Sequence, residues 1–237
     1  MLIGSRFRRR PRTVQLRRVT SAFTPAFVRP SVFGTLAAVH LPDGNESVPD
    51  EVLETLLPEE QAHARTLKGR RQIEFAGGRL AYRLAGGIGA LMPDARGQPV
   101  GRSSHSASVT HKSDLALALV GEASLGTVGV DLEGGGREPL NIAPKVLRAD
   151  ELDELHDLPT EARWARLVRC FALKEATYKA IHPHLRRYVS FQEARVRFVP
   201  ASVELFLVDG GSPRLELEAV VEELGTRVLA MVRARSR

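Results

Sequence analysis

The pentad Gly129-Val130-Asp131-Leu132-Glu133 constrains this chain more than any other stretch. It follows an apolar run, residues 115–120, that reads as a buried strand. Strand side chains alternate between faces. Val128, Val130 and Leu132 therefore point one way, and Thr127, Gly129, Asp131 and Glu133 the other. The strand needs a core on one side and puts two carboxylates on the opposite side, about 7 Å apart at a rise of ~3.3 Å per residue. Like charges at that spacing repel unless a cation or a basic group lies between them. The pentad alone leaves two readings open: an exposed acidic strand end, or a site for a hard metal. Oxygen ligands suit Mg²⁺, which takes one or two carboxylates with water and substrate phosphate.

A long helix is predicted over residues 160–181, with Thr160 as its cap. Trp164, Leu167, Val168, Phe171, Tyr178 and Ile181 supply much of its apolar face. It carries Phe171-Ala172-Leu173-Lys174-Glu175-Ala176-Thr177-Tyr178-Lys179, in which Glu175 and Lys179 are helical neighbours. Read alone, they make a surface ion pair worth ~0.3–0.5 kcal/mol. Upstream, residues 32–41 read as a strand and Pro42-Asp43-Gly44-Asn45 as a turn. Residues 49–57 read as a short helix. Pro58 opens a longer one that carries Arg65, Lys68, Arg70, Arg71 and Arg79 and ends at Gly86-Gly87. Residues 92–106 read as loop, leading into Ser108-Val109-Thr110-His111, where small hydroxyls beside a histidine suit contact with an oxyanion. A Ser108–His111–Asp131 triad is set aside, because no Gly-x-Ser-x-Gly elbow presents the serine. Residues 194–199, 203–208, 215–221 and 226–233 alternate as strands, with turns at Asp209-Gly210-Gly211 and Gly225.

The charge balance narrows the partner. The chain of 237 residues carries a net charge of +6 and a pI near 10.0, mostly from arginine. This favours phosphate-rich ligands or acidic partners. Cys170 stands alone, which excludes a disulfide framework and a cysteine-based zinc site. No apolar run approaches the ~20 residues of a membrane span, so no membrane partner and a cytoplasmic location are expected. The first acidic residue is Asp43, after a start crowded with Arg6, Arg8, Arg9, Arg10, Arg12, Arg17 and Arg18. Such a segment resembles an organellar transit peptide or a nucleic-acid-binding arm. Pro11, Pro25 and Pro30 break its pattern, and a disordered leader over residues 1–30 is the expectation, with order starting near Ser31. A basic nucleic-acid-binding protein is one alternative function. The scattered basic residues and few aromatics outside the leader argue against a stacking platform.

The Gly129–Glu133 pentad, followed by Phe171-x-x-Lys174-Glu175-x-x-x-Lys179, resembles the two signature motifs of the 4′-phosphopantetheinyl transferases. In length the chain is similar to the larger, monomeric Sfp-type class, which includes the enterobactin-synthase transferases. Leu57-Pro58-Glu59-Glu60-Gln61 through Gly78-Arg79-Leu80 resembles the N-terminal helix of that class. Arg96-Gly97-Gln98-Pro99 resembles its Gly-Lys-Pro loop, and Val109-Thr110-His111 its Ile-Ser-His motif. Gln98 stands in place of a frequent lysine, Phe171 of a tryptophan and Ala176 of a serine, while Thr110 keeps a serine's hydroxyl.

The resemblance implies an α+β pseudodimer. Two similar halves, residues 31–125 and 126–237, each hold a small antiparallel sheet and a long helix, with the active site in the cleft between them. It implies transfer of the phosphopantetheine arm of coenzyme A to a serine of an apo carrier protein, with release of 3′,5′-ADP. Mg²⁺ would be held by Asp131, Glu133 and Glu175. Glu175 would also take the serine proton, and Lys179 would stabilise the departing α-phosphate. Arg79, and Arg70 beside it, would hold the 3′-phosphate, with Thr110 and His111 on other phosphate oxygens. A monomer serving a secondary-metabolic carrier is implied. A metal-dependent phosphohydrolase is the remaining alternative; it shares the carboxylates but explains neither Lys179 nor Thr110-His111.

Overall fold

The structure is a computed structural model, and it describes residues 22–101, 104–134, 140–199, 202–207 and 214–236. The first half opens with β1 (Thr24–Ser31) and β2 (Gly34–His40), then α1 (Asp50–Leu53), α2 (Pro58–Thr66) and α3 (Arg70–Leu84). Two short strands, β3 (Met92–Pro93) and β4 (Pro99–Val100), bracket a turn before β5 (His105–Lys112) and β6 (Leu115–Glu122). The second half holds β7 (Thr127–Gly134), α4 (Ala143–Val146), α5 (Ala149–His156) and α6 (Thr160–Leu185). It ends with β8 (Ala194–Val199), β9 (Ser202–Leu207), β10 (Leu215–Leu224) and β11 (Arg227–Ser236). One antiparallel sheet runs β1-β2-β6-β5 and another β10-β11-β7, with β8-β9 a separate hairpin.

This is an α+β fold in two halves, each a sheet with its own long helix, and alternation along the strands builds it. Ala116 and Ala118 of β6 join Ala37 and Val39 of β2 against Ile73, Ala76 and Leu80 of α3. Leu115, Leu117 and Leu119 face the other way, meeting Val128, Val130 and Leu132 of β7 and Leu229 and Met231 of β11 in a core between the sheets. Val228, Ala230 and Val232 of β11 then pack on Leu173, Ala176 and Ala180 of α6. The layers are thus helix, sheet, sheet, helix.

The free edges of the two sheets, β5 and β7, lie side by side and are joined by hydroxyls. Ser106 Oγ accepts the Val128 N–H at 2.8 Å, and Ser108 Oγ accepts the Val130 N–H at 3.0 Å. Alternation puts Ser106, Ser108 and Thr110 on one side of β5, so one short polar row covers an edge that would otherwise expose bare amides.

The halves also share a buried hub. Glu60 is fully buried; it accepts from the Leu57 and Leu91 N–H groups and pairs with Arg83. Glu151, 4% exposed, accepts from the Arg148 and Val196 N–H groups and pairs with Lys174. Each is the third residue of its helix, closing a capping box there, and each ties that helix to the long one.

Several boundaries differ from expectation. The first described strand begins at Thr24, ahead of the Ser31 start expected: Pro25 and Pro30 sit in β1, an edge strand with a bulge after Pro25, where a missing N–H is tolerated. Residues 1–21, which hold most of the arginine-rich leader, and the Asp209-Gly210-Gly211 turn lie outside the described residues. The single helix expected from Pro58 is two, because Gly69 takes φ +55° and turns the chain. Thr160 starts α6 without capping it; Pro159 holds the cap position with no side-chain bond. The helix also runs through Pro183 to Leu185.

Candidate active site

β7 carries Asp131 in its middle, not at its end, and Asp131 is 4% exposed. Its face is covered by α6, which comes close because Gly129 has no side chain. A Cβ there would overlap the Ala176 carbonyl oxygen and lie 2.7 Å from the Ala180 nitrogen. That approach brings Lys179 onto the strand. Lys179 Nζ donates to Asp131 Oδ1 at 2.7 Å and to the Val130 carbonyl at 3.1 Å. Thr110, across the seam on β5, donates its hydroxyl to the same Oδ1 at 2.9 Å. Thr110, Asp131 and Lys179 thus meet at one oxygen, from three elements.

Asp131 Oδ2 is buried and has no hydrogen-bond partner. An ionised carboxylate with an orphaned oxygen is costly, so the arrangement fits a ligand or cation at that point. Glu175 lies one helical turn before Lys179. Burial, then the charges of Asp131 and Glu133, push its carboxyl above the ordinary range, partly offset by Lys179. Glu133 accepts from Lys112 Nζ at 2.6 Å. Among the described residues, no three histidine, cysteine, aspartate or glutamate side chains converge into a cage for an ion. The donor set therefore fits an ion that takes one or two carboxylates and completes its shell with ligand oxygens, as Mg²⁺ does.

A cleft of about 640 Å³ opens above Asp131, lined by Arg71, Arg79, Gln98, Thr110, His111 and Lys179 among others. Arg79 is 6% exposed, stacks over the Phe75 ring at 3.7 Å and donates Nε–H to the Leu91 carbonyl at 2.9 Å. Burial lowers its pKa to about 10, so it remains a cation at neutral pH. Burial also lowers His111, against the pull of Glu74, whose Oε1 lies 3.3 Å from His111 Nδ1. Arg70 is not among the lining residues: its guanidinium is used by Glu74 at 3.1 Å and by the Pro42 carbonyl at 3.0 Å. Its neighbour Arg71 lines the cleft. Glu133 and Glu175 also lie off the cleft lining, within electrostatic reach of Asp131.

Residues 127–232 match the sequence model of the 4′-phosphopantetheinyl transferase superfamily. The chain is 31% identical over 161 residues to 4′-phosphopantetheinyl transferase Svp of Streptomyces mobaraensis, a match covering 64% of this chain and 65% of that protein. It is 28% identical over 172 residues to PptT of Mycobacterium tuberculosis, covering 67% of this chain and 75% of that one. The chain is thus similar to 4′-phosphopantetheinyl transferases, and it spans just under two thirds of the length of Svp. Among solved structures, the holo-[acyl-carrier-protein] synthase of Thermotoga maritima aligns at TM-score 0.40 and 24% identity, covering 48% of this chain and 64% of that one.

Two features of the chain escape a motif reading. Lys174, inside the signature, is not a site residue: its ammonium is fully buried, held by Glu151 at 2.5 Å and the Val146 and Phe191 carbonyls. The long helices repeat one another, Phe75-Ala76 through Tyr82-Arg83 matching Phe171-Ala172 through Tyr178-Lys179. The repeat is legible in the sequence, masked only by the change of charge where Arg79 aligns with Glu175. Cys170 is buried in the core and its thiol is pushed up to about 12, as burial in apolar surroundings requires. No described helix is long and apolar enough to cross a membrane.

Proposed function

We propose that the protein transfers the 4′-phosphopantetheine arm of coenzyme A to a serine of an apo carrier protein, releasing 3′,5′-ADP. The observation that carries this reading is the junction of Thr110, Asp131 and Lys179 at the floor of a cleft whose wall holds Arg71 and Arg79. A pyrophosphate with a third phosphate on the ribose is a ligand for which cations on one wall and a carboxylate with a spare oxygen on the floor are both useful.

In this reading Arg79 binds the 3′-phosphate, with Arg71 on the cleft wall and Arg70 beside Glu74 adding positive charge. Thr110 and His111 orient the pyrophosphate. Desolvation, with Lys179 and Arg70 nearby, lowers the His111 pKa against the pull of Glu74, and an arriving phosphate would shift it back toward the protonated, donating form. The serine oxygen attacks the phosphorus that bears pantetheine, and the bond to the α-phosphate oxygen breaks. Glu175, whose raised pKa makes it a better proton acceptor than an ordinary carboxylate, takes the serine proton directly or through water. Lys179 faces the charge that develops on the leaving α-phosphate. Bound Mg²⁺, held by Asp131 with Glu175 next to it and Glu133 within electrostatic reach, would neutralise phosphate charge.

The same reading divides the chain near residue 125. The first half supplies the cationic wall, and the second supplies Asp131, Glu175 and Lys179. It makes the protein a cytoplasmic monomer that serves a secondary-metabolic carrier. Incubation with coenzyme A, Mg²⁺ and an apo carrier protein should add the mass of one phosphopantetheine arm to the carrier. Release of phosphate from coenzyme A with no change in carrier mass would replace the transferase with a phosphohydrolase.

A further inference from the structure

We infer that Asp94 and His182 form a strut between the halves that holds the β3–β4 turn at the cleft, making His182 a positioning residue for the coenzyme. The inference rests on the coenzyme A reading of the cleft. Asp94 shapes its own turn. Its Oδ1 accepts the Arg96 N–H at 2.8 Å and the Gln98 N–H at 2.9 Å. The Asp94 N–H donates to the Gln98 carbonyl at 2.8 Å, and the Gly97 N–H to the Asp94 carbonyl at 2.9 Å. The second oxygen leaves the turn: Oδ2 lies 3.0 Å from His182 Nε2. One carboxylate therefore folds the turn with one oxygen and anchors it to α6 with the other.

Where the anchor sits gives it its role. His182 lies three residues after Lys179 on α6, in the opposite half from Asp94. Gln98 and Pro99, which the turn presents, line the 640 Å³ cleft and also a second cavity of about 490 Å³ beside it. Lys179 lines both as well, so the turn and Lys179 together form the partition between the two spaces. A shift of the turn would open the partition and move the wall of the coenzyme cleft.

The bond is built to persist. His182 is 6% exposed and packs against Tyr178 with ring centroids 5.7 Å apart. A carboxylate only accepts, so Nε2 must carry the proton. Nδ1 is buried without a partner, so the contact with Asp94 is the ring's one hydrogen bond among the described residues. Partial desolvation raises the Asp94 carboxyl, but hydrogen bonds from the Gln98 N–H, His182 and the Arg96 N–H outweigh it and hold it below the ordinary range. Asp94 is therefore an anion whenever the strut is needed.

The test compares His182→Ala and His182→Gln with the wild-type protein. Hydrogen exchange is read peptide by peptide, and coenzyme A binding by calorimetry. His182→Ala should speed exchange in the segment 94–98 while α3 and the first four turns of α6 keep their protection. Its Kd for coenzyme A should rise about tenfold, equivalent to ~1.4 kcal/mol, with kcat for transfer changed less than twofold. The Gln side chain can donate to Asp94 Oδ2 and should recover most of both effects. Unchanged exchange in segment 94–98, an unchanged Kd, or exchange that accelerates equally in the turn and both helices would each overturn the strut. If the wild-type protein binds no coenzyme A, the coenzyme reading of the cleft falls, while the exchange data still decide whether the turn is anchored by His182.

Discussion

Gly129→Ala tests the contact on which the site depends. The added methyl would overlap the Ala176 carbonyl oxygen and sit 2.7 Å from the Ala180 nitrogen. Ordinary non-bonded contacts need ~3.5 Å or more, so the overlap with the Ala176 oxygen requires α6 to retreat from β7 by about 1.5 Å. Lys179 Nζ now lies 2.7 Å from Asp131 Oδ1. A retreat of that size takes the contact past hydrogen-bond range. Overpacking of a filled core costs ~1–3 kcal/mol, which for a chain of this size lowers Tm by roughly 2–12 °C. A displacement of ~1 Å in a positioned group costs about 10²-fold in rate. The expected result is a folded protein with kcat down about 100-fold. Its Kd for coenzyme A should change much less, since Arg71 and Arg79 stand on α3. Thermal unfolding and single-turnover carrier loading measure the two effects separately. A Gly129→Ala protein as stable and as active as wild type would show that α6 does not need its close approach.

Three further substitutions separate roles that the motif runs together. Lys174→Met leaves Glu151 buried and unpaired and should lower stability by ~3–5 kcal/mol without changing coenzyme A affinity in the folded fraction; a wild-type urea midpoint would contradict the buried pair. Asp131→Asn can keep an oxygen for the Thr110 hydroxyl but leaves the Lys179 ammonium without its counter-charge. It should abolish the Mg²⁺ response of coenzyme binding, and a calorimetric Mg²⁺ titration matching wild type would refute the ligand assignment. For Glu175 the folded pKa lies above the unfolded value of 4.5, so between the two the native state binds more protons and stability falls as pH rises. Glu175→Gln removes that loss, so in metal-free buffer its Tm should gain on wild type as pH climbs from about 4 through the folded pKa. A constant difference would mean Glu175 does not feel Asp131 and Glu133.

Much of this architecture is written locally. Strict alternation through β6 and β7 places Leu117 and Val130 in one core and Asp131 under α6, and period-two reading recovers it. Other features come from distant partners. Thr160 has the chemistry of a cap, yet Pro159 occupies the cap position. Pro25 and Pro30 look like breakers until β1 is known to be an edge. Arg70 and Arg71 are equivalent in sequence, and only the Pro42 carbonyl and Glu74 decide that Arg70 is engaged by protein groups while Arg71 lines the cleft. Asp131 looks like the end of a strand because three glycines follow Glu133, but β7 runs on to Gly134 beside β11. The Asp94–His182 contact joins residues far apart in the chain and has no local signature.

The repeated helices make the cleft directional. An assembly of two identical halves would present matching walls, and a ligand could enter either way round. Here the repeat has been re-signed at one position: Arg79 on α3 corresponds to Glu175 on α6, while Arg83 and Lys179 stay cationic and Tyr82 and Tyr178 stay aromatic. The α3 wall is left with guanidinium groups, and α6 brings a carboxylate one helical turn from Lys179, close to Asp131. A molecule with a phosphate at one end and a reactive linkage further along meets an environment that accepts a single orientation. A vector has been built from a two-fold scaffold by changing the sign of one side chain.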